Sequence, residues 1–122
     1  MPPLIVWLFL FIATLFAATH KIAVAASLYW YYSWFDIVMH FWGGLLIALG
    51  VRALTHLKLV KLQPTLFVTV AVLLALMISW EVFEFSVGLW DRETYVFDTA
   101  KDLLVGFSGG VIGFLLLKYL VK

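Results

Sequence analysis

Four long apolar stretches, joined by three short connectors, decide what this chain can fold into. They run over residues of about 4–26, 35–54, 65–90 and 99–120. Each supplies the ~20 residues that an α-helix needs to cross the hydrocarbon of a bilayer. Lipid offers no hydrogen-bond partner to backbone N–H and C=O groups, so the stretches are predicted as helices rather than strands. The connectors, "LYWYYSW", "THLKLVKLQP" and "WDRETYVFD", are too short for consecutive spans to run in the same direction. The predicted fold is all-α: a single domain over residues 1–122 with four transmembrane helices in an antiparallel up-and-down bundle.

Composition agrees and excludes several functions. Hydrophobic residues make up 66% of the chain and charged residues 12%, against about half and a quarter in a soluble domain. A net charge of +1 gives no electrostatic footprint for nucleic acid. With no cysteine, disulfides, thiol-linked haem, iron–sulfur clusters and thiolate zinc are ruled out. The first stretch, with "AVA" at residues 23–25, partly fits a signal peptide. No Lys or Arg precedes its apolar run, so it is expected to remain as the first span, with Lys21 snorkelling at its end.

Lys and Arg set the expected orientation. The side holding both termini carries Arg52, Lys58, Lys61, Lys118 and Lys122, and the other side carries Lys21, Arg92 and Lys101. The positive-inside rule then puts both termini in the cytoplasm, in a plasma (inner) membrane. The seven acids, Asp36, Glu81, Glu84, Asp91, Glu93, Asp98 and Asp102, all fall at the opposite, outer end. The aromatics of "LYWYYSW", with Trp90 and Tyr95, form an interfacial belt there.

Glu81 and Glu84 are the anomaly. They end a run that carries no other charge from Pro64 onward, and the sixteen steps from Thr65 to Glu81 correspond to ~24 Å of helix rise. Against a ~30 Å hydrocarbon core, Glu81 is expected inside the outer leaflet. An acid there costs ~2.5 kcal/mol or more and normally faces the bundle with a partner. Asp36 and Asp102 have an alternative as helix caps, because "SWFD" and "TAKD" fit the S/T-x-x-D/E capping box. Capping cannot explain the two glutamates, which lie at a helix C-terminus where the dipole disfavours negative charge. A proton, Lys101, Arg92, His40 or a metal must compensate them. Asp91 and Glu93 read as solvated loop charges, His20 and His56 as interfacial, and Ser79 and Ser86 as ordinary helix residues.

Spacing groups the remaining residues by face. Asp36 and His40 stand four apart, Glu81 and Glu84 three apart, and Asp98 and Asp102 four apart. Gly43 and Gly44 follow His40, and the last span carries Gly106-x-x-x-Gly110 and Gly109-x-x-x-Gly113, a spacing that lets helix backbones approach. Close packing of the second and fourth spans would bring the acids at their outer ends together.

At these residues the chain resembles a known group. "FDIVMHFWGGLLIALG", "SWEVFEF" and "FDTAKDLLVGFSGGVIG" are similar, in order, to the three signature blocks of the YjdF-like and VanZ-like small bacterial membrane proteins. The YjdF-like match is the closer, through "WEVFEF" and "DTAKDL". The resemblance covers Phe35 to Gly113 and reaches Asp36, His40, Glu81, Glu84, Asp98 and Asp102. Where those families usually carry Asn or Asp four residues after Asp102, this chain has Gly106. VanZ-like members are associated with glycopeptide (teicoplanin) tolerance, which implies a cell-envelope role.

The expected function is metal-assisted chemistry or binding on a lipid headgroup or lipid-linked envelope substrate. Glu81, Glu84, Asp98 and Asp102 would hold a hard divalent cation, Mg²⁺, Mn²⁺ or Ca²⁺. His40 would be the general acid or base, with Asp36 orienting it. Two other classes stay open. Buried acids also mark ion and proton routes, although a chain this short would need to form homo-oligomers to build a pathway, and a non-catalytic scaffold for an envelope protein would need none of this chemistry.

Overall fold

A computed structural model describes residues 3–58, 61, 63–88 and 93–120. Its elements are α1 (Leu4–Ala25), the one-turn α2 (Leu28–Tyr31), α3 (Ser33–Leu57), α4 (Leu66–Ser86) and α5 (Tyr95–Leu120). The four long helices contain 22, 25, 21 and 26 residues and are apolar enough to cross a membrane. At 1.5 Å per residue each rises more than ~30 Å, enough to cross the hydrocarbon core. The protein is an all-α, four-span membrane protein.

Local chemistry sets the helix ends. α1 stops where Ser27 takes a left-handed backbone, φ 57°, and "LYWY", expected as part of a connector, winds into α2 instead. α3 ends at Leu57, three residues beyond the expected end at Leu54, where Lys58 is also left-handed at φ 55°. Thr65 caps α4, its side chain accepting from the Val68 N–H at 3.2 Å. α4 is shorter than expected, because the chain turns through Gly88 at φ +78°, a conformation glycine takes without penalty. Trp90, Asp91 and Arg92 lie outside the described residues, as does Lys122. α5 begins at Tyr95 rather than Thr99, because "YVFD", expected as the end of a connector, is helical too.

Which residues meet shows the directions. Gly44 of α3 meets Gly106 and Gly110 of α5, and Ala48 meets Gly113. Numbers rise together, so α3 and α5 are parallel. Met77 meets Gly106 while Leu73 meets Gly110, so α4 runs antiparallel to α5. Phe9 against Gly50 and Phe16 against Gly43 make α1 antiparallel to α3.

α3 and α5 form the most extensive contact in the bundle. A methyl group on Gly44 would land on the Gly106 carbonyl oxygen, and one on Gly109 would land on the Phe41 carbonyl oxygen. The two backbones therefore touch, as small-residue packing in lipid allows. α4 closes one side of this pair and α1 the back of α3. Towards the end where α1 begins, Ile5, Val6, Leu49 and Ala53 form a buried cluster with Phe9, Ile12, Leu57 and Leu117 around it. Most of the larger apolar side chains elsewhere are exposed, as expected for chains that face lipid rather than water.

Candidate functional site

The site forms at the other end, where the glycine seam draws α3 and α5 together. Asp36 and His40 lie in the first two turns of α3, and Asp102 lies in the second turn of α5. His40 Nε2 is 3.2 Å from Asp36 Oδ1 and 3.2 Å from Asp102 Oδ2. α4 brings Glu81 and Glu84 to the same place from the opposite direction. Glu81 is buried, with 7% of its surface exposed, and so is Asp102, also at 7%.

Each glutamate has one neutral donor. Thr99 Oγ1 donates to Glu81 Oε2 at 3.3 Å, joining α5 to α4. Trp80 Nε1 donates to Glu84 Oε1 at 2.7 Å, one turn along α4. Among the described residues no lysine or arginine is paired with any of these four carboxylates, and Arg92 lies outside those residues. Among the described residues, His40 is the compensating group in contact with Asp36 and Asp102. Asp102 Oδ1 is buried with no hydrogen-bond partner among the described residues, a state that costs roughly 1–3 kcal/mol if left so.

The arrangement resolves into two sets of ligand atoms, each gathered within 4.8 Å: Asp36, His40 and Asp102, and Glu81, Glu84 and Asp102. Asp102 belongs to both. Carboxylate oxygens and one imidazole are a donor set that suits Mg²⁺ or Mn²⁺, and with added water Ca²⁺.

Asp98 is the expected ligand that the fold does not bring in. Its Oδ2 accepts from Thr94 Oγ1 at 2.9 Å, and it belongs to neither set. One turn of α5 separates it from Asp102, and its carboxylate is engaged with Thr94 at the helix start. The capping boxes do not form either. Tyr32 is the N-cap of α3 and makes no side-chain cap, while Asp36 turns to His40. Thr99 is already inside α5 and serves Glu81. Ser79 and Ser86 bond to carbonyls of their own helix.

Sequence reasoning placed His20 and Tyr29 at the interface, offered Thr99 only as a helix cap and gave Trp80 no role. The His20 Nδ1 and Tyr29 hydroxyl atoms are 2.8 Å apart, and the His20 ring meets the Trp80 ring edge-on at 6.2 Å. This roof ties α1 and α2 to α4 beside Glu84. Burial, with the Asp36 and Glu84 carboxylates adding to it, pushes the Tyr29 phenol up to about 12, so it stays a neutral donor. The Trp80–Glu84 pair was legible from its four-residue spacing. The other contacts depend on packing between elements.

No match is found among curated proteins or among solved structures. A family model does match, over residues 1–122, and the chain belongs to that family, described as "Predicted membrane protein (DUF2238)".

Proposed function

We propose that the protein holds a hard divalent cation between α3, α4 and α5 and uses it for chemistry or binding at a lipid headgroup or lipid-linked envelope substrate. The observation that carries this reading is Asp102: nine-tenths buried, shared by both ligand sets, with one oxygen lacking a hydrogen-bond partner among the described residues. A cation would compensate four converging carboxylates that share a single imidazole among the described residues. Glu81, Glu84 and Asp102 would be its ligands, with Thr99 fixing Glu81. Asp98, bonded to Thr94, would stand outside that set. His40 would move a proton, and Asp36 would orient its ring.

The narrower likeness to YjdF-like and VanZ-like proteins belongs to this proposal and supports an envelope setting. So does the orientation with both termini in the cytoplasm of an inner membrane, which would place the site in the outer leaflet. A reporter active only outside the cytoplasm, fused after Lys122, is expected to stay dark. Bright signal would move the site to the inner leaflet. Transport is the weaker reading, because the seven acids all lie toward one end of the spans.

The metal reading is tested by thermal unfolding of purified protein in detergent, with chelator and then with Mg²⁺, Mn²⁺ or Ca²⁺. A cation that binds only the folded state stabilises it by about 2.7 kcal/mol at a hundredfold excess over Kd. Glu81→Gln keeps the shape of the side chain but removes a ligand charge. It is expected to lose most of that gain, yet to be as stable as the parent or more so in chelator, because one of four repelling charges is gone. Asp98→Asn is expected to keep the full response. A parent protein that ignores all three cations would sink the metal reading.

A further inference from the structure

The glycine seam between α3 and α5 has two faces. α4 covers one of them, with Met77 against Gly106 and Leu73 against Gly110. The other carries an open groove of about 420 Å³, lined by Ile37, Val38 and Phe41 of α3 and by Leu104, Val105 and Ser108 of α5. Both walls repeat one spacing, i, i+1, i+4, and the two helices are parallel, so the rows run side by side in the same direction.

The groove follows from the seam. Gly109 brings α5 against the Phe41 carbonyl, and two backbones that touch leave a narrow trough where the flanking side chains are larger than glycine. Ile37, Val38 and Val105 are β-branched and hold one strongly preferred rotamer in a helix, so these walls are stiff. Ser108 Oγ donates to the Leu104 carbonyl at 2.8 Å. That hydroxyl is engaged within α5, and the trough presents an apolar surface.

Depth joins the groove to the acidic site. From Asp36 to Phe41 is five residues and from Asp102 to Ser108 six, or ~7.5 Å and ~9 Å of helix. The groove therefore begins level with the acids and continues towards the middle of the bilayer, where hydrocarbon chains lie. Asp36, directly before Ile37 in the first turn of α3 and partly exposed, is the acid at its mouth.

Shape selects the occupant. A single row of side chains on each side makes the trough about one hydrocarbon chain wide. Seating a helix of a second copy would call for small residues that let backbones approach, and here the walls are Ile, Val, Phe and Leu. Every lipid tail competes on equal terms for an apolar surface in the bilayer, so selection must come from the headgroup. The acidic site stands at that level, and phosphate oxygens are donors that a hard cation takes. A stiff, preformed trough lowers the cost of ordering the bound state.

We propose that the groove seats one hydrocarbon chain of a lipid phosphate whose headgroup lies at the cation of the acidic site. For its headgroup this seat rests on the cation reading above, and it narrows the ligand to a lipid that keeps its chain in the bilayer.

The test uses the full chain in neutral detergent, with Mg²⁺, Mn²⁺ or Ca²⁺ and then with chelator. The probe is phosphatidylglycerol carrying a photoactivatable diazirine on one acyl chain, and diacylglycerol with the same chain is the control without a phosphate. Labelled positions are mapped by mass spectrometry of peptides. Labelling by the phospholipid is expected to concentrate on Phe41, Leu104 and Ser108 over the exposed Phe67 and Leu76 of α4. It should fade with chelator, in Asp102→Asn and with the control lipid. Ser108→Trp fills the trough and should lose most of the labelling at Phe41 and Leu104 while keeping the thermal response to cation. Val38→Trp, at an exposed position of the facing wall, should do the same and serves where Ser108→Trp fails to fold. Even labelling of all lipid-facing positions, or full labelling in both tryptophan variants, overturns the groove, and the thermal response to cation then stands or falls by itself. Concentrated labelling that persists in chelator and in Asp102→Asn keeps the chain in the groove and overturns the cation as the anchor of the headgroup. Cross-links between two copies at these positions assign the groove to a homo-oligomer and overturn the proposal.

Discussion

Gly44→Ala is expected to destabilise the bundle by about 1–3 kcal/mol, whereas Gly43→Ala, its neighbour, is expected to be neutral or stabilising by up to about 1 kcal/mol. Both exchanges give α3 the same gain in helix propensity, so only their surroundings differ. The new methyl at position 44 meets the Gly106 carbonyl oxygen and lies 2.7 Å from the Gly110 nitrogen. Those are backbone atoms of a packed helix, and they yield only if α5 moves. At position 43 the methyl meets Phe16 ring carbons at 3.7 and 3.9 Å, which is ordinary contact. α5 cannot retreat without opening the His40–Asp102 contact at 3.2 Å, so Gly44→Ala should also weaken any cation response. Unfolding of the two variants in detergent reads the difference. Equal stabilities would mean that the α3–α5 backbones are not in contact.

That pair of glycines also shows how much the sequence disclosed. The spans, their alternation and the pairing of the second with the fourth were legible, because helix length and small-residue spacing are local properties. Five of the six expected site residues come together for the same reason: acids in lipid must face inward, and the glycines fix which faces meet. Asp98 shares a helix face with Asp102 by spacing, but a face is wide. The start of α5 at Tyr95 makes the four residues from Thr94 to Asp98 one helical turn, and that bond is not foreseeable while the helix is expected to begin at Thr99. Thr99 itself could not be found from spacing, since its partner Glu81 stands on another helix. The His20–Tyr29 pair required knowing that "LYWY" is helical and folds back toward α1.

Asp102→Asn should have the largest effect on the site, because Asp102 alone belongs to both ligand sets. Asparagine preserves the shape of the side chain and, through its oxygen, one contact to His40. Its amide nitrogen cannot ligate a cation and brings no charge. The gain of about 2.7 kcal/mol expected of the parent at a hundredfold excess over Kd should therefore fall to near zero. Asp36→Asn, in one set only and with its carboxylate partly exposed, should retain a substantial part of the response. The sign in chelator separates binding from architecture. If Asp102 served only to hold His40, its variant would be less stable than the parent by a similar amount with or without cation, through loss of a charged hydrogen bond of about 1.5–3 kcal/mol. If it binds a cation, the deficit grows with cation concentration. The double variant Glu81→Gln with Asp102→Asn supplies the last discrimination. Two ligands of one ion act as a unit, so the double variant should lose no more cation response than Asp102→Asn alone. Additive, concentration-independent losses would instead describe a cluster of acids held by hydrogen bonds around His40.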